Sequence, residues 1–418
     1  MLLEKALLAL TVAAPFVACG GLAARWFAVS STPSELFSRR VIGAGLVASL
    51  AGSVSVAAWL LAQGAPYNHE IVFGQWFEVG WYSVPIVLDV DFVSALYSLC
   101  SAAATLLTAR FSREYLHREA GFHRFFLLVG LFAGGVQVLA FAGNFDLMFA
   151  GWETIGICSV LMIGFFHYRQ APLRGALWTF ATYRACDLGF ILAIIGTHEF
   201  LGSTRLAALE ESHTLSAPVA AALAGLFLLA AVGKSAQVPF SGWLPRALEG
   251  PTPSSALFYG AISIHAGLYL LLRVRPLLAV SFPVVAAAVV IGCATAVYAT
   301  SVARVRSDAK GILAHAALAQ TGLILVEIAL GWTVLALVHL VCHASLRIYQ
   351  YLRAPNALHD AHAMHLPDAH HPTRAPTSKW GKAWYFASLN HFRFDEWLER
   401  LVARPLSSLA RKFAGVLR

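Results

Sequence analysis

The chain has 418 residues, of which 58% are hydrophobic and only 12% charged. An ordinary soluble domain carries about 25% charged residues, and with a mean hydropathy of +0.67 this chain could not cover a soluble surface. That excludes a cytosolic enzyme, a disordered chain and a nucleic-acid-binding domain, and makes the net charge of +8 a matter of basic loops on a polytopic membrane protein.

A membrane-crossing helix needs about 20 apolar residues. Runs of that kind predict spans near 5–28, 41–63, 90–110, 123–142, 145–167, 177–197, 216–238, 253–272, 279–301, 310–330 and 332–352. The first lacks a basic start and a small-residue cleavage site, so it reads as a span and not as a cleaved leader. Residues 64–89 interrupt the pattern. They alternate loosely, are rich in Val, Ile, Trp and Tyr, and predict a β-hairpin at one membrane face. After Tyr351 the composition turns polar. Residues 353–390, with His359, His362, His365, His370 and His371, read as a linker, and 391–418 as an amphipathic helix that lies on a membrane or a partner. The divisions are thus 1–63, 64–89, a core over 90–352, 353–390 and 391–418. The fold class is an all-α bundle of about eleven spans.

Loop charges predict the orientation. One set of loops carries Arg25, Arg39, Arg40, Arg110, Arg113, Arg118, Arg124, Arg169, Arg174, Arg246, Arg304, Arg306 and Lys310, the other only Lys5, Arg205, Arg273 and Arg275. The positive-inside tendency puts the first set in the cytoplasm, the N-terminus outside and the tail inside. The six cysteines sit in apolar stretches without a CxxC pair and read as small buried hydrophobes. No haem or iron–sulfur spacing occurs. The chain itself is therefore expected to hold no cofactor or metal.

An ionisable side chain at mid-bilayer costs at least about 2.5–3.5 kcal/mol, so each one needs a reason. Glu153 in the fifth span and Lys234 in the seventh form an acid–amine pair suited to sharing a proton, because a desolvated lysine readily gives its proton up. Pro239 and Pro245 follow Lys234 and predict a broken helix. Arg184 and Asp187 share a face of the sixth span and either neutralise each other or tune the pair. His339 and His343 are one turn apart on the eleventh span, with Arg347 a turn further. With His265 and His315 they suggest a lateral proton relay; the spacing would also fit a metal pair, but the stripe has no acidic or thiol ligand. Glu327, near a span end, reads as interfacial.

The motifs GKSAQVPFSGWLPRALEGPTPSSALFYG, FAGWETIGICSVLMIGFF and SDAKGILAHAALAQTG, and more weakly HFRFDEWLERLVARPLSSLAR, resemble the antiporter-like membrane subunits of respiratory complex I, nearest the largest of them. The similarity runs over roughly 89–355. It implies a proton-translocating, inverted-repeat bundle whose key acid and lysine fall on Glu153 and Lys234. A further family lysine falls on Lys310, and a histidine–lysine stretch on His339, His343 and Arg347. The chain departs from the pattern at Tyr259, where the family has histidine, and at Arg347, which replaces a lysine and is expected to be a fixed charge. Members continue beyond eleven spans, so the second repeat is expected to be cut short here. Shortened relatives serve as membrane subunits of two-component inorganic-carbon uptake systems with a carbonic-anhydrase-like soluble partner. The alternatives are therefore a respiratory-type complex, a carbon-uptake complex and a non-transporting assembly scaffold, all in the inner membrane with other subunits as partners, to which any quinone, flavin, iron–sulfur or zinc is left.

Overall fold

The computed structural model describes residues 2–29, 32–64, 68–80, 82–354 and 378–400. The five linker histidines and the tail beyond Arg400 lie outside the described residues. The long helices are α1 (Leu2–Ala28), α2 (Glu35–Gln63), α3 (Phe92–Tyr115), α4 (Phe122–Phe141), α5 (Phe145–Ile163), α6 (Gln170–Leu201), α7 (Ala217–Lys234), α8 (Thr252–Arg273), α9 (Phe282–Ala303), α10 (Ala309–Ala329) and α11 (Thr333–Arg353). Among the described residues, α1 to α10 are long and apolar enough to cross a membrane. The eleventh predicted span forms as a helix of 21 residues, but His339, His343 and Arg347 dilute its apolarity below that of the other ten.

Short polar side chains start several helices where the loops end. Asp91 caps α3 in a reciprocal box with Ser94, Asn144 accepts from Leu147 N on α5, and Asp308 accepts from Gly311 N on α10. Apolar side chains such as Val17, Leu61, Phe282, Val290 and Val334 point outward. That is a liability in water and the normal state against lipid. Two cysteines depart from the expectation of burial: Cys293 and Cys342 are exposed on this outer face, while Cys19, Cys158 and Cys186 are buried.

The hairpin forms as β1 (His69–Val79) and β2 (Tyr82–Val90), antiparallel, with irregular register between Val72 and Gly74 and between Gln75 and Phe77. Its base is fixed to the bundle. Gly143 N donates to Val87 O and Asn144 Nδ2 to Pro85 O. Arg273, at the end of α8, bonds both Asp89 and Asp91. Burial pushes the Asp89 carboxyl up to about 6, with Arg273 opposing the rise. Arg205 pairs with Glu70 on the same end. At the opposite end Glu35 binds His117 and Arg118 N, Arg169 pairs with Glu249, and Lys310 binds Thr252. The two loop sets separated by charge therefore gather at opposite ends of the bundle.

Two helices are broken, and the breaks position the site. α7 stops at Lys234; Ala236 is left-handed (φ 54°), and the chain turns through Phe240–Gly242 into a short helix over Trp243–Arg246. The indole of Trp243 satisfies the carbonyl of Gly233 at 3.0 Å, and Thr295 accepts from Val238 N at 3.0 Å. α8 is buried throughout. It widens to a π-helix over Ser255–Ala261 and tightens to a 3-10 turn over Ser263–His265. The carbonyls freed there are taken by buried side chains, Ala261 O by His265 and Ile262 O by Tyr97 at 3.2 Å.

The tail differs from the expected linker. Residues 379–389, inside the stretch read as linker, form helix α12 (Lys379–Leu389), capped by Ser378. A turn over His391–Arg393 leads into α13 (Phe394–Leu398). The flanking prolines and histidines masked a run with Trp380, Trp384, Tyr385 and Phe386 at helical spacing. Trp384 Nε1 donates to Ser301 Oγ of α9 at 3.1 Å, so this part of the tail is seated on the bundle.

Candidate functional site

Lys234, the last residue of α7, is 1% exposed. Its Nζ donates to the backbone carbonyl of Trp152 at 3.0 Å and lies 4.7 Å from the Trp152 ring centre and 4.5 Å from that of Tyr183. The amine therefore sits in an aromatic cage, with cation–π attraction in place of water. Gly156, one turn along α5 from Trp152, makes the space. A Cβ there would stand 2.8 Å from Lys234 Nζ and 3.8 Å from Arg184 Nη2.

The carboxylates do not contact the amine. Glu153 Oε2 meets Arg184 Nη1 at 2.5 Å, and Arg184 Nη2 meets Asp187 Oδ2 at 2.8 Å. Trp152 Nε1 donates to Asp187 Oδ1 at 2.5 Å. Among the described residues no carboxylate lies within ion-pair distance of Lys234. Glu153 and Lys234 are thus separated, and Arg184 takes both Glu153 and its own-helix neighbour Asp187. The reason is reach. The planar guanidinium spans from α6 to both acids, while the lysine points to the α5 backbone. With one positive charge fixed on Arg184 and two carboxylates beside it, a proton on Lys234 brings the cluster to neutrality. Its loss leaves one uncompensated negative charge.

A second polar group lies between α8 and α11. His265, wholly buried, donates from Nδ1 to Ala261 O, which leaves Nε2 to accept. His343 Nδ1 is 2.9 Å from that Nε2, and Arg347 Nε donates to His343 Nε2 at 3.2 Å. The donors assign themselves in one direction, from Arg347 through His343 and His265 to the Ala261 carbonyl, with both imidazoles neutral. His339 stands beside the chain, its ring centre 6.4 Å from that of His343. Its nitrogens face Glu327 Oε1 and Gln320 Oε1, each at 2.9 Å. Glu327, read as interfacial, is therefore the hydrogen-bond partner of His339.

Two expected members stand elsewhere. His315 lies beneath the tail, with its ring centre 5.4 Å from that of His391, and makes no bond to the other three histidines. Lys310 ties the start of α10 to Thr252 Oγ1 at 2.6 Å, a hydroxyl shared with Tyr115. It sits at the end of the bundle and outside the polar axis. Between the two clusters, Ser263 Oγ of α8 meets Ser159 Oγ of α5 at 3.2 Å, and Tyr259 OH donates to Ser159 O. Trp152, Tyr183, Ser263, Gln320 and His391 were not singled out by sequence. The only signal available was adjacency, Trp152 to Glu153 and Ser263 to His265. Among the described residues no group of His, Cys, Asp and Glu is arranged to hold a metal.

Comparison with known proteins places this geometry. Residues 142–370 match the family described as NADH:quinone oxidoreductase/Mrp antiporter, transmembrane, and residues 76–126 the N-terminal region of NADH-ubiquinone oxidoreductase (complex I) chain 5. The chain is 32% identical to NAD(P)H-quinone oxidoreductase chain 5 of Synechocystis sp., over 78% of this chain and 48% of that protein. It is 32% identical to a probable inorganic carbon transporter subunit, DabB1, of Halothiobacillus neapolitanus, over 67% and 52%. In fold it is similar to a chain in the structure of the Mrp complex from Dietzia sp. DQ12-45-1b, with a TM-score of 0.71 and 26% identity, over 83% of this chain and 37% of that one. The chain spans about half the length of the relatives it matches. A match over more than half of its residues makes this chain a multi-pass, antiporter-like member of the NADH:quinone oxidoreductase/Mrp antiporter transmembrane family.

Proposed function

We propose that the chain translocates protons across the cell's inner membrane as a subunit of a larger energy-coupling complex related to NADH:quinone oxidoreductase, with no redox chemistry or cofactor of its own. The observation that carries this reading is the enclosed Lys234, held by one carbonyl and two aromatic rings and facing two carboxylates that share a single arginine. Such an amine can load and release a proton without unfolding its surroundings. When Arg184 stays on Asp187 and releases Glu153, the freed carboxylate draws the proton onto Lys234. When Arg184 returns, the amine loses its attraction and the proton leaves. The lateral step runs past Tyr183 and Ser263 to the neutral imidazoles of His265 and His343. Arg347 and Arg184 are fixed charges that set the field, and His339 with Glu327 adds a second acid–base pair beside the chain.

The proposed division of labour follows the chain. Residues 1–63 pack as two outer spans, 64–89 cover the extracytoplasmic end, and 90–352 hold the polar axis. The remaining residues belong to the cytoplasmic side, where the basic loops gather. Respiratory-type subunits are the proposed partners. One observation favours a second reading: the chain is 32% identical to a probable inorganic carbon transporter subunit, the same identity as to chain 5, over 67% of its length against 78%. In that case the same axis would couple cation flow to a carbonic-anhydrase-like soluble partner.

The test is reconstitution of the purified complex in liposomes with a pH-sensitive dye. Lys234→Ala and Glu153→Gln should each abolish proton flux while the subunits still co-purify. Wild-type flux in either variant would overturn the reading. The co-purifying partner separates the two complexes, quinone-reductase subunits on one side and a zinc-containing soluble protein on the other. Assembly without any flux in the native complex would leave the scaffold.

A further inference from the structure

The turn that follows Lys234 carries unpaired buried polar atoms. Ser235 Oγ and Gln237 Oε1 have no protein partner, nor has Nε2 of His315 on the neighbouring α10, and Ser241 Oγ faces the hydroxyl of Tyr298 on α9. Ser235, Gln237, Ser241 and His315 are each 1% exposed. Buried polar atoms are normally bonded, and a file of orphans in one seam is the mark of a hydrated path. Thr295 and Thr321 flank the same turn, through Val238 N at 3.0 Å and Gln237 Nε2 at 3.2 Å. The seam thus runs from the enclosed amine between α9 and α10 toward the end of the bundle that holds the basic loops.

The tail closes that seam. His391 lies tilted against His315, ring centres 5.4 Å apart at 40°, and its Nδ1 is 3.3 Å from the hydroxyl of Tyr298 on α9. Phe392 and Phe394 pack on the Tyr298 ring, and Asp395 pairs with Arg246 of the broken seventh helix at 2.7 Å. The backbone is bent to do this: His391, Phe392 and Arg393 are consecutive non-glycine residues in the left-handed region, with φ of 50°, 53° and 56°. L residues adopt that region singly and at a cost, and such a run persists only where the surroundings hold it.

We propose that His391 is the outer proton-carrying group of the path to Lys234, so that the tail is part of the translocation site and not only a docking element. The proposal rests on the proton-translocating reading above. In the step, an N–H bond breaks on a protonated His391 as a water between the two rings takes that proton, and the same water gives up one of its own protons as an N–H bond forms on Nε2 of His315, which has no protein partner. The Nδ1–H of His315 stays on the Gly311 carbonyl at 2.8 Å. His391 returns to the neutral imidazole, and the proton on Nε2 of His315 passes to a second water of the seam, on the side of Gln237 and Ser235, leaving His315 neutral. The groups facing His391 are Tyr298 on α9, His315 on α10, Arg306 in the loop before α10, Arg246 on the broken helix and Asp395 on the tail, while Asp308 acts on His315. Burial, with Arg306 and Arg246, holds His391 below the usual imidazole range while Asp395 opposes them, so it hands on a proton rather than storing it.

The experiment uses the intact complex in dye-loaded liposomes between mildly acid and mildly alkaline pH, with Lys234→Ala as reference. His391→Gln, which keeps a polar side chain of similar reach, should lower flux about a hundredfold and flatten the acid limb of the pH profile. Added imidazole should restore much of the flux of His391→Ala and none of that of Lys234→Ala. Native flux and pH profile in His391→Gln, with Lys234→Ala silent, would overturn the proposal and leave the proton-translocating reading standing. Loss of flux in His391→Ala that imidazole does not restore would also overturn it, by reducing His391 to a packing role. Native flux in Lys234→Ala would remove the reading on which it rests.

Discussion

The polar axis has two halves built on opposite principles. The α5–α7 half works with formal charge: two carboxylates, one arginine and one lysine, placed so that a single proton decides neutrality. The α8–α11 half works with tautomers: Arg347, His343 and His265 donate in one direction and end on a carbonyl freed by the π-helix. The difference teaches where the work is done. The first half can respond to the field of a neighbour because moving Arg184 changes its balance, while the second can only pass on what it receives. Both halves owe their geometry to a broken helix, which supplies unpaired carbonyls and room that a regular helix lacks.

The sharpest way to break the contrast is at the histidines. His343→Ala interrupts the tautomer chain without altering the charge cluster, and flux in liposomes should fall about a hundredfold while assembly is kept. Arg184→Gln attacks the other half. It leaves Glu153 and Asp187 without their shared counter-charge. Inside a membrane span those two carboxylates have no bulk water to screen them, so the variant should lower the midpoint in thermal unfolding of the complex. Flux in that variant should rise at neither end of the pH range, since Lys234 then stays charged. The smallest effect belongs to the tail. Asp395→Asn removes a half-exposed ion pair with Arg246, worth about 0.5–1 kcal/mol, and should raise protease cleavage near residue 390 without unfolding the bundle.

The tail also has a pH sign. Burial holds His391 below its unfolded value, so the docked state binds fewer protons than the free tail in the window just below the usual imidazole range. Docking is then complete at neutral pH and weakens as the pH falls through that window. Protease sensitivity of the tail should rise on acidification in the native chain and stay flat in His391→Gln.

Long apolar runs made the spans legible, and Pro239 and Pro245 marked the break after Lys234 in the sequence itself. The i, i+3 pairing of Arg184 and Asp187 was equally visible, since it depends only on helix geometry. What one helix could not reveal was the rotation of its neighbours. Glu153 found Arg184 instead of Lys234, and His315 left the relay for His391, because both outcomes depend on packing between elements distant in sequence. The π-helix in α8 has no composition signal at all. Helix α12 was obscured because its Trp and Tyr residues stand among lysines next to a proline-containing stretch, so that polarity outweighed periodicity.

The central claim is that Lys234 must lose its proton in each cycle. Lys234→Arg tests it most directly, because arginine keeps the positive charge and comparable reach but does not deprotonate. In proteoliposomes containing the assembled complex, the account predicts that this variant assembles and passes no protons. Proton flux at the native rate in Lys234→Arg would contradict it.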